Sequence, residues 1–411
     1  MLLKPFVNVG TVKPEYEVAD VFRGYGEAYQ REYQVTYQQA KVITAIMQCR
    51  TAALGGHVEE CPVCGGVRIC YNPCDNRHCP KCGAFEKAQW LEARKASLLP
   101  IPYFHVVFTT DHAINPLVRA NQKAIYDLLF QAATETLKAY GREYLGGEIG
   151  VTAVLHTWGE DLGEHIHLHC IVTGGALQET EKGARWQPCL EGFLFPIVKL
   201  SRDYRDAFCE GLARLHRRGE LKLVGECEGL EVKALVAEMR AKKWEVYIKE
   251  AYASPEQVYD YLGRYVNRIA LSNYRLVAIG GGKVSFTYHD NKNGGQEKLM
   301  ILTAVEFIRR FLLHVLPRRY VRIRYYGLHH SSKRAALMLC RKLLGLRGPL
   351  PPAPQLVFME WLLSVVEKDP RLCPFCGQGV MVRRGEFGPL SALWLWVLAL
   401  LGIATLGRVV R

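Results

Sequence analysis

Acidic residues are missing from one long stretch of this chain. Between Phe307 and Met359 there is no Asp or Glu, while Arg309, Arg310, Arg318, Arg319, Arg322, Arg324, Lys333, Arg334, Arg341, Lys342 and Arg347 supply eleven positive charges. The formal charge of the whole chain is +13, so most of the excess sits in this one place. With no acid inside the run to neutralise it, the pattern reads as a track for phosphate groups rather than a solvated basic face. A Walker-type phosphate loop is also lacking, which argues against a nucleotide cofactor or an appended helicase. Internal repeats are absent, and low-complexity sequence is confined to the PLPPAP linker at 349–354. Charged residues make up only 23% of the 411, against 49% hydrophobic, which excludes general disorder and predicts two or three globular domains. No secretory signal opens the chain, so its fourteen cysteines read as thiols of a reducing cytoplasm, in part bound to zinc. The 390–406 segment, LSALWLWVLALLGIATL, has no charge at all. It falls short of the roughly 20 residues of a typical membrane span and reads as a packed C-terminal helix or a tail altered by sequence drift, with a membrane anchor as the alternative.

Four regions follow from the patterning. Residues 1–95 hold a helical stretch (YQQAKVITAIMQ) and a cysteine cluster, read as a zinc-binding DNA-recognition module. Residues 96–275 alternate strand-like and helical segments. Residues 276–350 open on a hairpin, YRLVAIGGGKVSFTYH, whose glycines supply the turn, and continue into the basic helical segment. Residues 351–411 form an extension ending in the apolar tail. In the second region YFHVVFTT at 103–110 is a strand, a helix runs near 117–140, and GVTAVLHTW and HIHLHCIVT are two more strands joined by a short loop. Strand, helix, then a strand pair predicts an antiparallel sheet with helices packed on it, an α+β fold.

His165, His167 and His169 alternate with Ile166 and Leu168, so on a strand the imidazoles share one face and the apolar residues the other. If the loop at 159–164 closes a hairpin, His156 pairs with roughly residue 167. One histidine on a strand is more often structural than a ligand. His156, His167 and His169 together, on two neighbouring strands, suit a divalent cation such as Mg²⁺, Mn²⁺ or Zn²⁺. His165, at the loop edge, is the weakest of the group.

Downstream, SPEQVYDYLGRYVNRIALSN begins a helix with Ser254 as N-cap and Pro255 at its first position. Tyr261 and Tyr265 lie one turn apart on one face, with Arg264 and Arg268 at hand for a phosphate. The same stripe (Val258, Tyr261, Leu262, Tyr265, Val266, Ile269) would also serve as an ordinary core face. The histidine strand tips the reading, because a phenol nucleophile needs something to polarise the phosphate it attacks.

Cys61-Pro-Val-Cys64 and Cys79-Pro-Lys-Cys82 are two CxxC knuckles fourteen residues apart, the spacing of a zinc ribbon, and are read together as one tetrahedral structural site. Cys70, Cys74, His57 and His78 lie near enough to compete. Cys373-Pro-Phe-Cys376 is a lone knuckle: half of a degraded or intermolecular site, or unligated. Past a helix beginning at Thr303, Arg322 and Arg324 interleave with Tyr320, Tyr325 and Tyr326, a composition suited to single-stranded nucleic acid.

HLH at 167–169 followed by YLGRYVNR at 261–268 resembles the HUH endonuclease superfamily. NRHCPKC at 76–82, YFHVVFTT, LHTWG at 155–159, HLHCIVTGG and EFIRRFLLHVLP at 306–317 together are similar to the insertion-sequence 91 transposases. Proline commonly precedes the family's HLH, where Ile166 stands here; histidine is common at the place of Asn267; and Arg318, Arg319 and Tyr320 follow HVLP in place of a glycine and an aromatic. The resemblance implies an HUH nuclease core with an N-terminal zinc module. It further implies catalysis with Mg²⁺ or Mn²⁺, attack by Tyr265 or Tyr261 to give a 5′-phosphotyrosine, and rolling-circle transposition acting on single-stranded or hairpin DNA ends. Arg264, Arg268, Arg309, Arg310, Arg322 and Arg324 are the DNA-binding candidates. The alternatives are a relaxase or replication-initiator nuclease, or a zinc-dependent DNA-binding protein without catalysis.

Overall fold

The computed structural model describes residues 14–181, 183–252, 257, 270–290, 294–352 and 354–389. They form two compact units between which the chain passes repeatedly. One unit comprises 89–268 and 316–354, the other 1–88, 269–315 and 355–411. The stretch 276–350 spans the crossing at 315/316, and residues 355–389 fall in the unit that holds the N-terminal cysteines.

The first unit is built on strands β3 (Tyr103–Thr109), β4 (Gly150–Trp158), β5 (Glu164–Thr173), β8 (Val246–Tyr252) and β12 (Ile323–Gly327), all antiparallel, in the order β12-β4-β5-β3-β8. Period-2 alternation sends Phe104, Val106, Phe108, Val151, Ala153, Leu155, Leu168, Cys170 and Val172 to one face, where they form the main core. Helices α4 (Asn115–Leu145), α5 (Ile197–Arg217) and α6 (Val232–Ala241) contribute Leu129, Phe130, Leu137, Tyr204, Phe208 and Met239 to that core. Helix α4 starts with proline in its first turn and stops at Gly146, whose φ of +62° suits a residue without Cβ. Its kink at Asn121 has a local cause: the side-chain amide donates to the carbonyls of Leu117 and Lys222 and accepts from Lys222 N–H at 2.7 Å. The opposite face of the sheet is covered at one end by Leu99, Ile101, Leu177, Leu328, Leu337 and Cys340, packed on Val154 and Ile171. The histidines lie on this second face.

The second unit contains α1 (Val18–Glu32), α2 (Tyr37–Gln48), β1 (Gly56–Glu60), β2 (Val67–Tyr71), the meander β9 (Leu276–Gly280), β10 (Lys283–Asp290) and β11 (Gln296–Thr303), α7 (Ala304–Leu313) and β13 (Val382–Phe387). The β9–β10 turn falls on Gly281 and Gly282, at φ +58° and +73°, the left-handed pair that a tight hairpin requires. Helix α7 is capped by Thr303 Oγ1, which accepts from Glu306 N–H, and Phe311 meets Phe22 of α1 edge-on at 5.5 Å. Strands β13, β1 and β2 form a small sheet in that order. Among the described residues no helix is long and apolar enough to cross a membrane. The apolar tail lies outside the described residues.

Candidate metal centres

Strands β4 and β5 pair so that His156 stands opposite His167, the partner that the loop midpoint predicts. A register shift follows between His156 and Trp158, where Trp158 pairs with Glu164 and the β5 side carries one extra residue. This bulge breaks the alternation at His165. The residue takes part through its carbonyl, which accepts from His167 Nδ1–H at 2.7 Å. The three remaining imidazoles converge: His156, His167 and His169 each offer a nitrogen within 4.8 Å of the others, and all three are buried. His156 is steadied by Trp158, stacked on it at 4.8 Å between ring centroids.

A fourth histidine, not singled out from the sequence, sets the orientation of this group. His105 of β3 lies on the same sheet face, and its Nε2 is 2.8 Å from His169 Nδ1. Burial, with the charge of Lys249 nearby, pushes His105 down to about 3, so it is neutral and can accept the His169 Nδ1–H. With both Nδ1 atoms committed to these bonds, His167 and His169 aim their Nε2 atoms at each other, 3.0 Å apart. Two nitrogens bound about 2.1 Å from one octahedral ion at right angles would be separated by about 3.0 Å. The donor set therefore fits a divalent ion, with each orienting bond of the kind that fixes metal-binding histidines. The signal for His105 was present in YFHVVFTT: once this strand pairs with β5, alternation places it on the histidine face. Tyr261, Tyr265, Arg264 and Arg268 lie outside the described residues.

The cysteines correct the expected zinc ligands. Cys61, Cys64, Cys79 and Cys82 do not form one site. Cys79 and Cys82 join Cys49 and Cys74, while Cys61 and Cys64 join Cys373 and Cys376. In the first group Cys82 Sγ is 3.5 Å from Cys49 Sγ and 3.8 Å from Cys74 Sγ. In the second, Cys61 Sγ is 3.7 Å from Cys376 Sγ and Cys64 Sγ is 3.6 Å from Cys373 Sγ. Cys61 and Cys64 lie in the turn of the β1–β2 hairpin, and strand β2 carries the chain away from that turn before it reaches Cys79 and Cys82. Cys70 and His57 instead approach Glu59, whose carboxylate is bound by Arg68 at 2.8 Å, so that acid is already neutralised. Backbone N–H groups of Gly379 and Gln378 lower Cys376 to about 6, which favours the thiolate a metal requires.

The basic run is less bare of acid than its own sequence suggests. Arg309 and Arg310 both bind Glu306, one residue before the run, and hold its carboxyl down at about 2. Arg324 pairs with Asp127 of α4 and lies 4.2 Å from the centre of the Phe130 ring. Tyr320 is buried and donates to the same Asp127, and Tyr325 accepts from Trp90 Nε1–H at 2.6 Å. These aromatics serve packing. Arg322 is half-buried, whereas Arg318 and Arg319 are exposed.

Comparison with known proteins adds two family matches: residues 150–336 fit a model described as "Putative transposase", and residues 21–110 one described as "Transposase zinc-binding domain". Over 376 residues, 89% of this chain and 94% of the relative, the sequence is 45% identical to "Putative transposase y4qJ" of Sinorhizobium fredii (strain NBRC 101917 / NGR234). It is 26% identical over 343 residues, 82% of each chain, to the transposase for insertion sequence element IS801 of Pseudomonas savastanoi pv. phaseolicola. No solved structure matches. Cys373 and Cys376 lie outside both family matches.

Proposed function

Because the chain belongs to the insertion-sequence 91 family of transposases, we propose that it nicks and rejoins single-stranded DNA at its element's ends, in rolling-circle transposition, through a 5′-phosphotyrosine. The reading is supported above all by the three convergent imidazoles of His156, His167 and His169 on one sheet face. They would hold Mg²⁺ or Mn²⁺, which when bound supplies positive charge to the scissile phosphate. His165 and His105 keep the ligand nitrogens aimed. The phenol oxygen of Tyr265, or of Tyr261, attacks phosphorus as its proton departs; the P–O3′ bond breaks and leaves a free 3′-OH. Rejoining is the reverse: a 3′-OH attacks the phosphotyrosine and the phenol leaves. We favour Tyr265, which Arg268 follows by three residues; Arg264 stands in the same relation to Tyr261, so the single variants make the assignment.

The test incubates the protein with labelled single-stranded element ends, with hairpin versions of the same ends, and with Mg²⁺ or Mn²⁺. A covalent protein–DNA adduct is expected, lost in a Tyr265→Phe, Tyr261→Phe double variant and assigned by the single ones. His167→Ala with His169→Ala should abolish cleavage while leaving DNA binding in place. Binding without any adduct under every condition would leave a DNA-binding protein and refute the nuclease reading.

A further inference from the structure

The cysteine geometry points to a second structural zinc in this chain, held by Cys61 and Cys64 from the N-terminal part and Cys373 and Cys376 from the C-terminal part. Four thiolates around one zinc at about 2.3 Å stand about 3.8 Å from one another along a tetrahedral edge. The cross-knuckle distances of 3.7 and 3.6 Å match that edge, and all four sulfurs lie within 4.8 Å of one another. A disulfide, at about 2.05 Å, is a different arrangement.

The two knuckles are built alike. Each reads Cys-Pro-x-Cys-Gly, with Gly65 and Gly377 at φ +69° and +68° and their N–H groups donating to the carbonyls of Cys61 and Cys373, both at 2.9 Å. The first cysteine of each also donates its N–H across the turn: Cys61 to the carbonyl of Gly66, and Cys373 to that of Gly379. Gly379 passes so close that a Cβ there would sit 2.4 Å from Cys61 Sγ. Beyond its knuckle each segment runs into a strand, and β13 pairs antiparallel with β1, joining Gly56 to Phe387 and Glu60 to Val382.

The surrounding packing cannot hold this arrangement by itself. Among the described residues the buried apolar cluster at the site is Cys61, Cys373 and Met381, with Cys376 against it, so that Met381 is its one large side chain. A module with so small a core needs a staple, and a four-thiolate zinc supplies one. The site closes the N-terminal unit by fastening the chain after its last return to that unit, at 355, and it is independent of the nuclease reading.

The experiment measures zinc per chain in the purified full-length protein by elemental analysis and native mass spectrometry. Two zinc ions per monomer are expected, one in a Cys373→Ser, Cys376→Ser variant, and one in a Cys74→Ser, Cys79→Ser variant. One zinc in the unaltered protein, or an unchanged count in the Cys373→Ser, Cys376→Ser variant, overturns the inference. Alkylation of the unaltered protein, read peptide by peptide, needs no variant to fold. Cys64, exposed in the fold, should be protected together with Cys373 and Cys376 until a chelator strips the metal. Rapid labelling of Cys64 and Cys376 while Cys79 and Cys82 stay protected counts against the site. So does protection that appears only in a dimer.

Discussion

His105→Phe removes the acceptor for His169 Nδ1–H while keeping a ring of similar size in the β3 strand. His105 and His169 are 3% and 7% exposed, so water has little access to replace the lost partner. Leaving a buried donor unsatisfied costs about 1–3 kcal/mol. If that cost falls on the ligand geometry, it weakens divalent-ion binding by about 5-fold to 150-fold, in line with the roughly 10–100-fold typical of groups that orient metal-binding histidines. The assay is the Mn²⁺ concentration giving half-maximal adduct formation, backed by direct Mn²⁺ titration in a calorimeter. The Phe variant should need more ion yet approach the unaltered rate at saturation, and His105→Gln, whose amide oxygen can accept, should recover part of the loss. An unchanged ion requirement in His105→Phe would refute the positioning role. A rate that stays low at saturating ion, with a matching fall in thermal stability, would show that His105 is only a core residue.

Three further outcomes are expected. His329 is half-buried beside Thr152 Oγ1, 2.9 Å from its Nδ1, and desolvation lowers it to about 4. Since its unfolded value is near 6.5, the unfolded chain binds the extra proton first, so stability is intact above about pH 6.5 and is lost as pH falls toward 4. At pH 5.5 the loss is about 1.4 kcal/mol, and His329→Gln should show a correspondingly smaller difference between denaturation at pH 7.5 and 5.5; an identical difference would count against it. Gly327 has φ +55°, and a Cβ there would lie 1.9 Å from the Ile149 carbonyl oxygen, so Gly327→Ala should destabilise the protein by at least about 2 kcal/mol in chemical denaturation. Arg318→Ala and Arg319→Ala should each reduce the salt dependence of DNA binding by about one unit of slope, whereas Arg324→Ala, through Asp127 and Phe130, should lower the melting temperature more than DNA affinity.

Much of the sheet was legible because its rule is local. Alternating residues in YFHVVFTT, GVTAVLHTW and HIHLHCIVT fix which side chains share a face, and a short loop fixes the partner of His156 to within a residue. His105 escaped because its role depends on β3 lying beside β5, a pairing between segments about sixty residues apart that no local window contains. The arginine run was misjudged for the same reason. Its counter-ions among the described residues include Glu306, just outside the window, Asp127, nearly two hundred residues earlier on α4, and Glu148, which pairs with Lys333.

The zinc ligands fail at a different step. For a strand or helix, hydrophobic periodicity announces that a face must be covered, and the partner is sought by pattern. A zinc knuckle announces only two thiolates, and any other pair that the chain can deliver will complete it equally well. Spacing made Cys79 and Cys82 the natural partners of Cys61 and Cys64, but Cys61 and Cys64 sit at the tip of the β1–β2 hairpin and strand β2 leads away from that tip toward Cys79 and Cys82. The choice is then settled by backbone pairing: β13 extends the β1 edge and brings Cys373 and Cys376 with it, while Cys49 at the end of α2 and Cys74 complete the set for Cys79 and Cys82. The shared Cys-Pro-x-Cys-Gly form of all three knuckles was the available clue, since a third complete knuckle is hard to reconcile with a single four-thiolate site. If this is right, deleting 355–389 should destabilise the zinc module at the other end of the sequence. The deletion should remove one zinc, expose Cys61 and Cys64 to alkylation, and leave Cys79 and Cys82 protected. Equal loss of protection at both knuckles would mean that the module folds as one cooperative unit and that strand pairing does not select the ligands.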